Sequence, residues 1–132
     1  MAIIVFQHWD VGLPGRLGAT LRDLGRRLDI RRPDLGDGRE AIPPDYDDVQ
    51  GVVSLGGPQS VAGAGAPPWA DAEIAYLRGA YERALPVVGV CLGAQLLARA
   101  LGDVAGGGGT VERCGTPEWG FHRVDQTPQG NT

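Results

Sequence analysis

The segment from Pro86 to Gly102 constrains the fold more than any other part of the sequence. Its first residues, 87–90, are apolar and mostly β-branched, which predicts a short strand buried on both faces of a sheet. From Leu92 onward the apolar residues recur at helical spacing, so a helix is expected to follow the strand at once. Gly102 stands where a left-handed helix cap is usual. The segment therefore predicts a strand, a sharp turn and a helix in direct succession.

The turn between this strand and this helix has the sequence Gly89-Val-Cys-Leu-Gly93, with Cys91 at its apex. Glycines on both sides let strand and helix approach closely, and the central residue is then held in a strained backbone conformation. Cys91 would project beyond the carboxyl end of the strand, where the helix dipole and the free N–H groups favour a thiolate. The G-x-S-x-G elbow of hydrolases uses the same mechanics. The alternative is a buried cysteine without chemistry, which is common for free cysteines.

Two further features accompany this turn and favour a functional site. Gln95 lies one helical turn after Cys91 on the same predicted face, where its amide could reach a bound ligand. A second glycine-rich turn, Gly56-Gly-Pro58, follows the apolar segment 51–55, which predicts a strand at the centre of the sheet. Ligands of parallel α/β sheets bind beyond the carboxyl ends of the strands, so we expect both turns at the edge of one pocket.

Predicted strands and helices alternate along the chain, which indicates an α/β fold with an open, mostly parallel sheet and helices on both faces. Strands are expected at 2–6, 28–32, 51–55, 87–90, 107–111 and 118–124. Leucines at helical spacing, namely Leu17, Leu21, Leu24 and Leu28, predict an amphipathic helix of about four turns. A second helix is expected over 69–84, with Ile74, Leu77 and Tyr81 at helical spacing. The polar segment 125–132 is expected to be a frayed tail.

The composition is that of a single cytoplasmic globular domain. A chain of 132 residues is long enough for one core. A net charge of −4 with no basic block argues against nucleic acid as a partner, and no apolar run approaches the roughly 18 residues of a membrane span. No secretion signal is recognisable, so a reducing compartment and unpaired Cys91 and Cys114 are expected.

At these residues the chain resembles the class I glutamine amidotransferases. The segment Gly-Val-Cys-Leu-Gly-Ala-Gln (89–95) resembles the nucleophile segment of that family, and Leu-Gly-Gly-Pro-Gln-Ser (55–60) resembles its oxyanion loop. The form is that of the amidotransferase domain of GMP synthase, and the resemblance extends from Ile3 to about Val124. It implies a flavodoxin-like fold and glutamine as the substrate. It also implies that the partner is an ammonia-accepting synthetase domain or subunit, and that neither cofactor nor metal is needed.

The resemblance also implies a role for each matching residue. Cys91 would attack the side-chain carboxamide of glutamine, release ammonia and leave a γ-glutamyl thioester for water to cleave. The backbone N–H groups of Gly57 and Leu92 would hold the oxyanion. The residues expected to contact the substrate are Gly56, Pro58 and Gln95.

The general base is the part of the site that the sequence does not supply. The family completes its triad with a His-x-Glu segment near the end of a longer chain, and no His-x-Glu occurs here. His8 is expected to be a loop or pocket-wall residue, and His122 a structural one. The chain therefore resembles the amino-terminal portion of an amidotransferase domain, with weak or no turnover of its own. Two alternatives remain open: a γ-glutamyl hydrolase-like enzyme, and a non-catalytic α/β binding domain in which Cys91 is a remnant.

Overall fold

Four parallel strands form a single sheet in the computed structural model of this chain, which describes residues 1–62, 65–102, 109–118 and 120–128. The strands are β1 (Ala2–Phe6), β2 (Leu28–Arg31), β3 (Val49–Ser54) and β4 (Val87–Gly89). The helices are α1 (Gly15–Asp23), α2 (Ala70–Glu82) and α3 (Leu92–Leu101), with a 3₁₀ turn at Arg39–Ala41. The strand order is β2-β1-β3-β4 and every pairing is parallel. The predicted flavodoxin-like α/β fold is confirmed.

The sheet separates two apolar layers because alternate residues of each strand point to opposite faces. On one face, Ile4, Phe6 and Val52 pack into the main core together with residues of α2 and α3. On the other face, Val5 and Val53 belong to a smaller cluster. Helix α1 lies on this second face and leaves an open apolar groove of about 510 Å³ against the amino-terminal half of the strands. No helix among the described residues has the length and apolarity that a membrane span requires.

Helix α1 is shorter than predicted. It ends at Asp23 because Gly25 adopts a left-handed conformation, with φ of 73°, and its N–H donates to the carbonyl of Arg22. A glycine in this conformation is a common helix stop, and here it overrides the leucine periodicity. Leu24 therefore lies outside the helix and is 68% exposed, while Leu28 begins β2.

Three details of the second half also differ from the prediction. Strand β4 is not buried on both faces, because it lies at the edge of the described sheet and leaves Val88 47% exposed. The buried face of α2 runs through Ala70, Leu77 and Ala80, so Tyr81 points outward. Gly102 is right-handed, with φ of −52°, and not a left-handed cap.

The last two predicted strands are not found in the part of the chain that the structure describes. Residues 103–108 and 119 lie outside the described residues, and so does the end of the predicted tail, 129–132. Residues 109–111, 118 and 120–124 are described and contain no strand. Phe121 and Val124 are almost fully exposed, so the alternation of apolar and polar residues there has no described sheet edge to pair with.

Helix α3 approaches the sheet so closely that its second residue has no room for a side chain. A Cβ placed on Gly93 would overlap the backbone carbonyl of Ser54 in β3. A Cβ on Gly89 would lie 2.6 Å from the carbonyl oxygen of Gly93, well inside van der Waals contact. These glycines are therefore required by close packing, as the sequence predicts.

We expect Gly93→Ala to destabilise the chain by at least about 2 kcal/mol, because the added methyl group would meet rigid backbone and force strand and helix apart. The measurement is the free energy of unfolding from urea denaturation. Gly115→Ala is the matched control, since a Cβ there meets nothing within 4 Å, and it should change the free energy by less than about 0.5 kcal/mol. Equal effects of the two substitutions would contradict the close-packing argument.

Tyr76 of α2 is the residue whose ionisation is most affected by the fold. Its ring is 5% exposed and stacks on that of Tyr46, with centroids 4.5 Å apart, and its hydroxyl donates to the carbonyl of Asp45 at 3.1 Å. Burial raises the pKa of Tyr76 to about 12, because the phenolate would lose its hydration. The stability gained from the neutral phenol is therefore fully present below pH 10 and is lost as the pH rises through about 12.

We expect the ultraviolet absorbance of tyrosinate to rise in at least two steps in an alkaline titration, with the last step belonging to Tyr76 and coinciding with loss of tertiary structure. Tyr76→Phe should remove that last step, because phenylalanine cannot ionise. A last step that persists in the variant would show that another tyrosine is the most strongly perturbed.

Candidate active site

Cys91 lies between β4 and α3 in a backbone conformation that few residues other than glycine adopt. Its φ and ψ are 55° and −112°, and it is one of three described residues other than glycine with positive φ. Such strain costs on the order of 1–3 kcal/mol and persists only where the surrounding structure enforces it. The carbonyl of Cys91 accepts the N–H of Gln95 at 3.2 Å, so the helix begins directly at the cysteine. Cys91 is exposed and unpaired.

The second glycine turn lies directly beside this cysteine. A Cβ placed on Gly56 would be 3.3 Å from Cβ of Cys91 and 3.8 Å from its Sγ, which leaves room for glycine only. A Cβ on Gly57 would lie 3.0 Å from Cδ2 of Leu92, so this turn also contacts the first residue of α3. The two turns singled out in the sequence therefore meet at the carboxyl edge of the sheet.

Two backbone donors remain available at this meeting point. Within residues 1–62 and 65–102, neither the N–H of Gly57 nor that of Leu92 donates a hydrogen bond to the protein. Leu92 is the first residue of α3, where N–H groups have no partner inside the helix. Donors of this kind beside a nucleophile can stabilise an anionic oxygen.

The carbonyl of Leu55 joins the two turns from below. It accepts the N–H of Gly93 at 3.1 Å and the ring Nδ1 of His8 at 3.0 Å. The N–H of Leu55 donates in turn to the carbonyl of Phe6 at 3.0 Å. Both polar groups of this residue's main chain are thus used, and the residue that precedes Gly56 is fixed to β1 and to α3 at once.

A polar cluster is buried under the second turn. The side chains of His8 and Glu73 are fully buried, and Nε2 of His8 lies 2.9 Å from Oε2 of Glu73. The hydroxyl of Ser54, also buried, donates to Oε1 of Glu73 at 2.6 Å. The imidazole stacks on the indole of Trp69, with ring centroids 4.9 Å apart. His8 is therefore not an ordinary loop or pocket-wall residue but part of the interior.

Sequence reasoning missed Glu73, although one observation could have found it. Ala70, Leu77 and Ala80 lie on the buried stripe of α2, and Glu73 stands on the same stripe at helical spacing. A carboxylate on an apolar stripe needs a buried partner, because an unpaired charge in the interior is costly. The choice of Tyr81 as a face residue placed the stripe incorrectly and left Glu73 among the acidic residues of the first turn.

The remaining candidate residues lie around the same edge or away from it. Gln95 and Pro58 are exposed, one on α3 a turn beyond Cys91 and the other directly after Gly57. Gln59 ties this turn to β1, since its Nε2 donates to the carbonyl of His8 at 2.8 Å. Cys114 is exposed and unpaired, and its Sγ lies 3.1 Å from the carbonyl of Thr116. No group of three metal-binding side chains occurs among the residues described.

Comparison with known proteins agrees with this geometry. Residues 12–130 match the sequence profile of the family described as glutamine amidotransferase class-I. The GMP synthase (glutamine-hydrolyzing) of Petrotoga mobilis is 35% identical over 102 residues, which are 73% of this chain and 17% of that protein. In Haloarcula marismortui, one of the separate subunits of GMP synthase (glutamine-hydrolyzing) is 33% identical over 89 residues, or 67% of this chain and 38% of that one.

Solved structures give the same answer for the fold. A glutamine amidotransferase from Methylobacillus flagellatus superimposes with a TM-score of 0.67 at 31% identity, covering 76% of this chain and 39% of that one. One from Thermotoga maritima has a TM-score of 0.64 at 20% identity and covers 77% of this chain and 43% of that one, which supports the fold alone. The chain therefore spans less than half the length of these relatives. The match over 12–130 nonetheless includes both glycine turns and the strained cysteine, and the chain belongs to the class I glutamine amidotransferase family.

Proposed function

We propose that this chain is a glutaminase domain in which Cys91 is the nucleophile. The observation that carries the proposal is the strained, exposed backbone of Cys91 beside Gly56, at the start of α3. A structural cysteine has no need of positive φ, whereas a nucleophile must be raised out of the sheet and kept accessible. Membership of the class I amidotransferase family supports the same assignment.

The chemistry follows from the groups around this cysteine. The sulfur of Cys91 attacks the carboxamide carbon of glutamine, and the carbonyl oxygen becomes an anion that the N–H groups of Gly57 and Leu92 stabilise. The C–N bond then breaks, and nitrogen leaves as ammonia with the proton taken from the thiol. Water cleaves the γ-glutamyl thioester to glutamate and restores the thiol. Gly56, Pro58 and Gln95 would contact the bound amino acid, and one lost oxyanion donor would cost about 3 kcal/mol in the barrier.

The proton carrier of this reaction is not His8. Its Nδ1 faces the carbonyl of Leu55 and its Nε2 faces Glu73, so both ring nitrogens are already engaged. The other histidine, His122, is not followed by a carboxylate in a His-x-Glu pattern. We therefore propose that the 132-residue chain by itself turns glutamine over weakly or not at all. Similarity to GMP synthases, both undivided and built from separate subunits, supports a partner that accepts ammonia, either a synthetase domain or a synthetase subunit.

We expect a diazoketone analogue of glutamine to label Cys91 and not Cys114, because only Cys91 combines an accessible sulfur with adjacent oxyanion donors. The measurement is peptide mass spectrometry after labelling at a concentration below that of the protein. Cys114→Ser should leave the yield unchanged, and Cys91→Ser should abolish it. Preferential labelling of Cys114 would overturn the site.

We expect the purified chain to release ammonia from glutamine at least about 100-fold more slowly than the 1–10³ per second typical of enzymes, because general acid–base assistance is worth about 10²–10⁴-fold. The measurement is a coupled glutamate assay, with Cys91→Ser as the blank. Turnover at an ordinary enzymatic rate would show that a base is present after all.

The same two assays separate the alternatives. A γ-glutamyl hydrolase-like enzyme would cleave a γ-glutamyl peptide faster than glutamine in a substrate panel. A non-catalytic binding domain would show no selective labelling of Cys91 by the glutamine analogue and no effect of Cys91→Ser on its partner's activity.

A further inference from the structure

We infer that the buried pair of His8 and Glu73 positions the oxyanion turn, acting through the carbonyl of Leu55. The inference rests on the glutaminase function proposed above, and it concerns residues that the reaction itself does not use. His8 is a positioning residue, since its ring contacts Leu55, Glu73 and Trp69 and reaches the reaction only through the turn.

The hydrogen-bond chemistry of the pair fixes where its protons lie. The carbonyl of Leu55 can only accept, so Nδ1 of His8 must carry a hydrogen. Nε2 and Oε2 of Glu73 are 2.9 Å apart, so one further proton lies between them. Oε1 already accepts the hydroxyl of Ser54 at 2.6 Å. Every polar atom of the cluster is thus satisfied in a single arrangement, which is what rigidifies a buried network.

This arrangement continues without a break from α2 to the turn. Glu73 orients the imidazole, Trp69 covers one face of it, and Nδ1 donates to Leu55 next to the first glycine of the turn. The main chain of His8 makes a second connection, since its carbonyl accepts Nε2 of Gln59 at 2.8 Å. A Cβ on Gly57 would lie 2.8 Å from Cβ of His8, so the donor glycine itself sits against this residue.

A shift of the Leu55 peptide would move the donors relative to Cys91. The carbonyl of Leu55 binds both His8 and Gly93, so losing the imidazole leaves one of its two restraints. Displacement of a catalytic group by about 1 Å costs on the order of 100-fold in rate. The cluster should therefore affect reactions that need the oxyanion donors and leave simple alkylation of the thiol alone.

His8→Phe and His8→Asn form a matched pair of variants. Phenylalanine keeps an aromatic ring against Trp69 but cannot donate to the carbonyl of Leu55. Asparagine loses the stacking, yet its Nδ2 takes the place of Nδ1 and can donate to that carbonyl. Glu73→Gln is a third variant that keeps the whole network, because its amide can donate to Nε2 of a neutral imidazole while its oxygen accepts the hydroxyl of Ser54.

The test compares two electrophiles on the full 132-residue chain. The first is 6-diazo-5-oxo-L-norleucine, whose ketone oxygen stands where the carboxamide oxygen of glutamine would bind. The second is iodoacetamide, which alkylates Cys91 without forming an oxyanion. We expect His8→Phe to lower the inactivation rate constant for the diazoketone by at least about tenfold and to change the iodoacetamide rate less than about twofold. His8→Asn and Glu73→Gln should each recover most of the diazoketone rate.

Equal losses with both reagents, or no loss in His8→Phe, would overturn the inference. So would a loss in Glu73→Gln as large as that in His8→Phe, since the carboxylate charge and not the hydrogen-bond chain would then matter.

Nuclear magnetic resonance keeps the inference testable if a variant fails to fold or if the wild-type chain is not labelled. The chain has two histidines, so the ring nitrogens of His8 can be assigned in a ¹⁵N-labelled sample. We expect a slowly exchanging Nδ1–H for His8, coupled across the hydrogen bond to Leu55. An unprotonated Nδ1 would refute the positioning role. A protonated Nδ1 together with an unlabelled wild-type chain would instead leave the network standing and refute the glutaminase proposal.

Discussion

The carbonyl of Leu55 is the acceptor on which the arrangement of the site depends. It stands at the end of a central strand and takes one hydrogen bond from the elbow helix and one from the interior. The main chain after β3 cannot be displaced at this point without breaking a bond to α3, to β1 or to the buried imidazole. The cysteine and the diglycine turn come from separate parts of the sequence, and this one residue holds them in register.

Steric exclusion acts together with these bonds. The elbow can form only because Gly93 lets α3 lie directly on the backbone of β3, and the turn can face the thiol only because Gly56 has no side chain. A large apolar groove lies elsewhere, at the amino-terminal half of the strands on the α1 face. Its lining has no nucleophile or buried polar group, so volume alone is a poor guide to the chemistry here. Parallel strands direct function to their carboxyl ends, where both glycine turns lie.

Local patterns of sequence were sufficient to predict the sheet, the elbow and the meeting of the two turns. Each of these depends on residues close in the chain, on glycine sterics and on the rule that parallel strands end at one edge. The buried network could not be predicted in the same way, because His8 and Glu73 are 65 positions apart and are paired only by the packing of α2 on the sheet. The end of α1 was misjudged for a different reason, since a left-handed Gly25 outweighs a leucine repeat.

The positive φ of Cys91 also bears on how this domain can change over evolutionary time. Glycine at that position would relieve the backbone and stabilise the fold, and a single nucleotide change connects the two residues' codons. A protein that had lost its chemistry would thus gain from the exchange, and drift would favour it. A sequence that still carries a thiol at its most uncomfortable residue is better explained by continuing use than by inheritance alone.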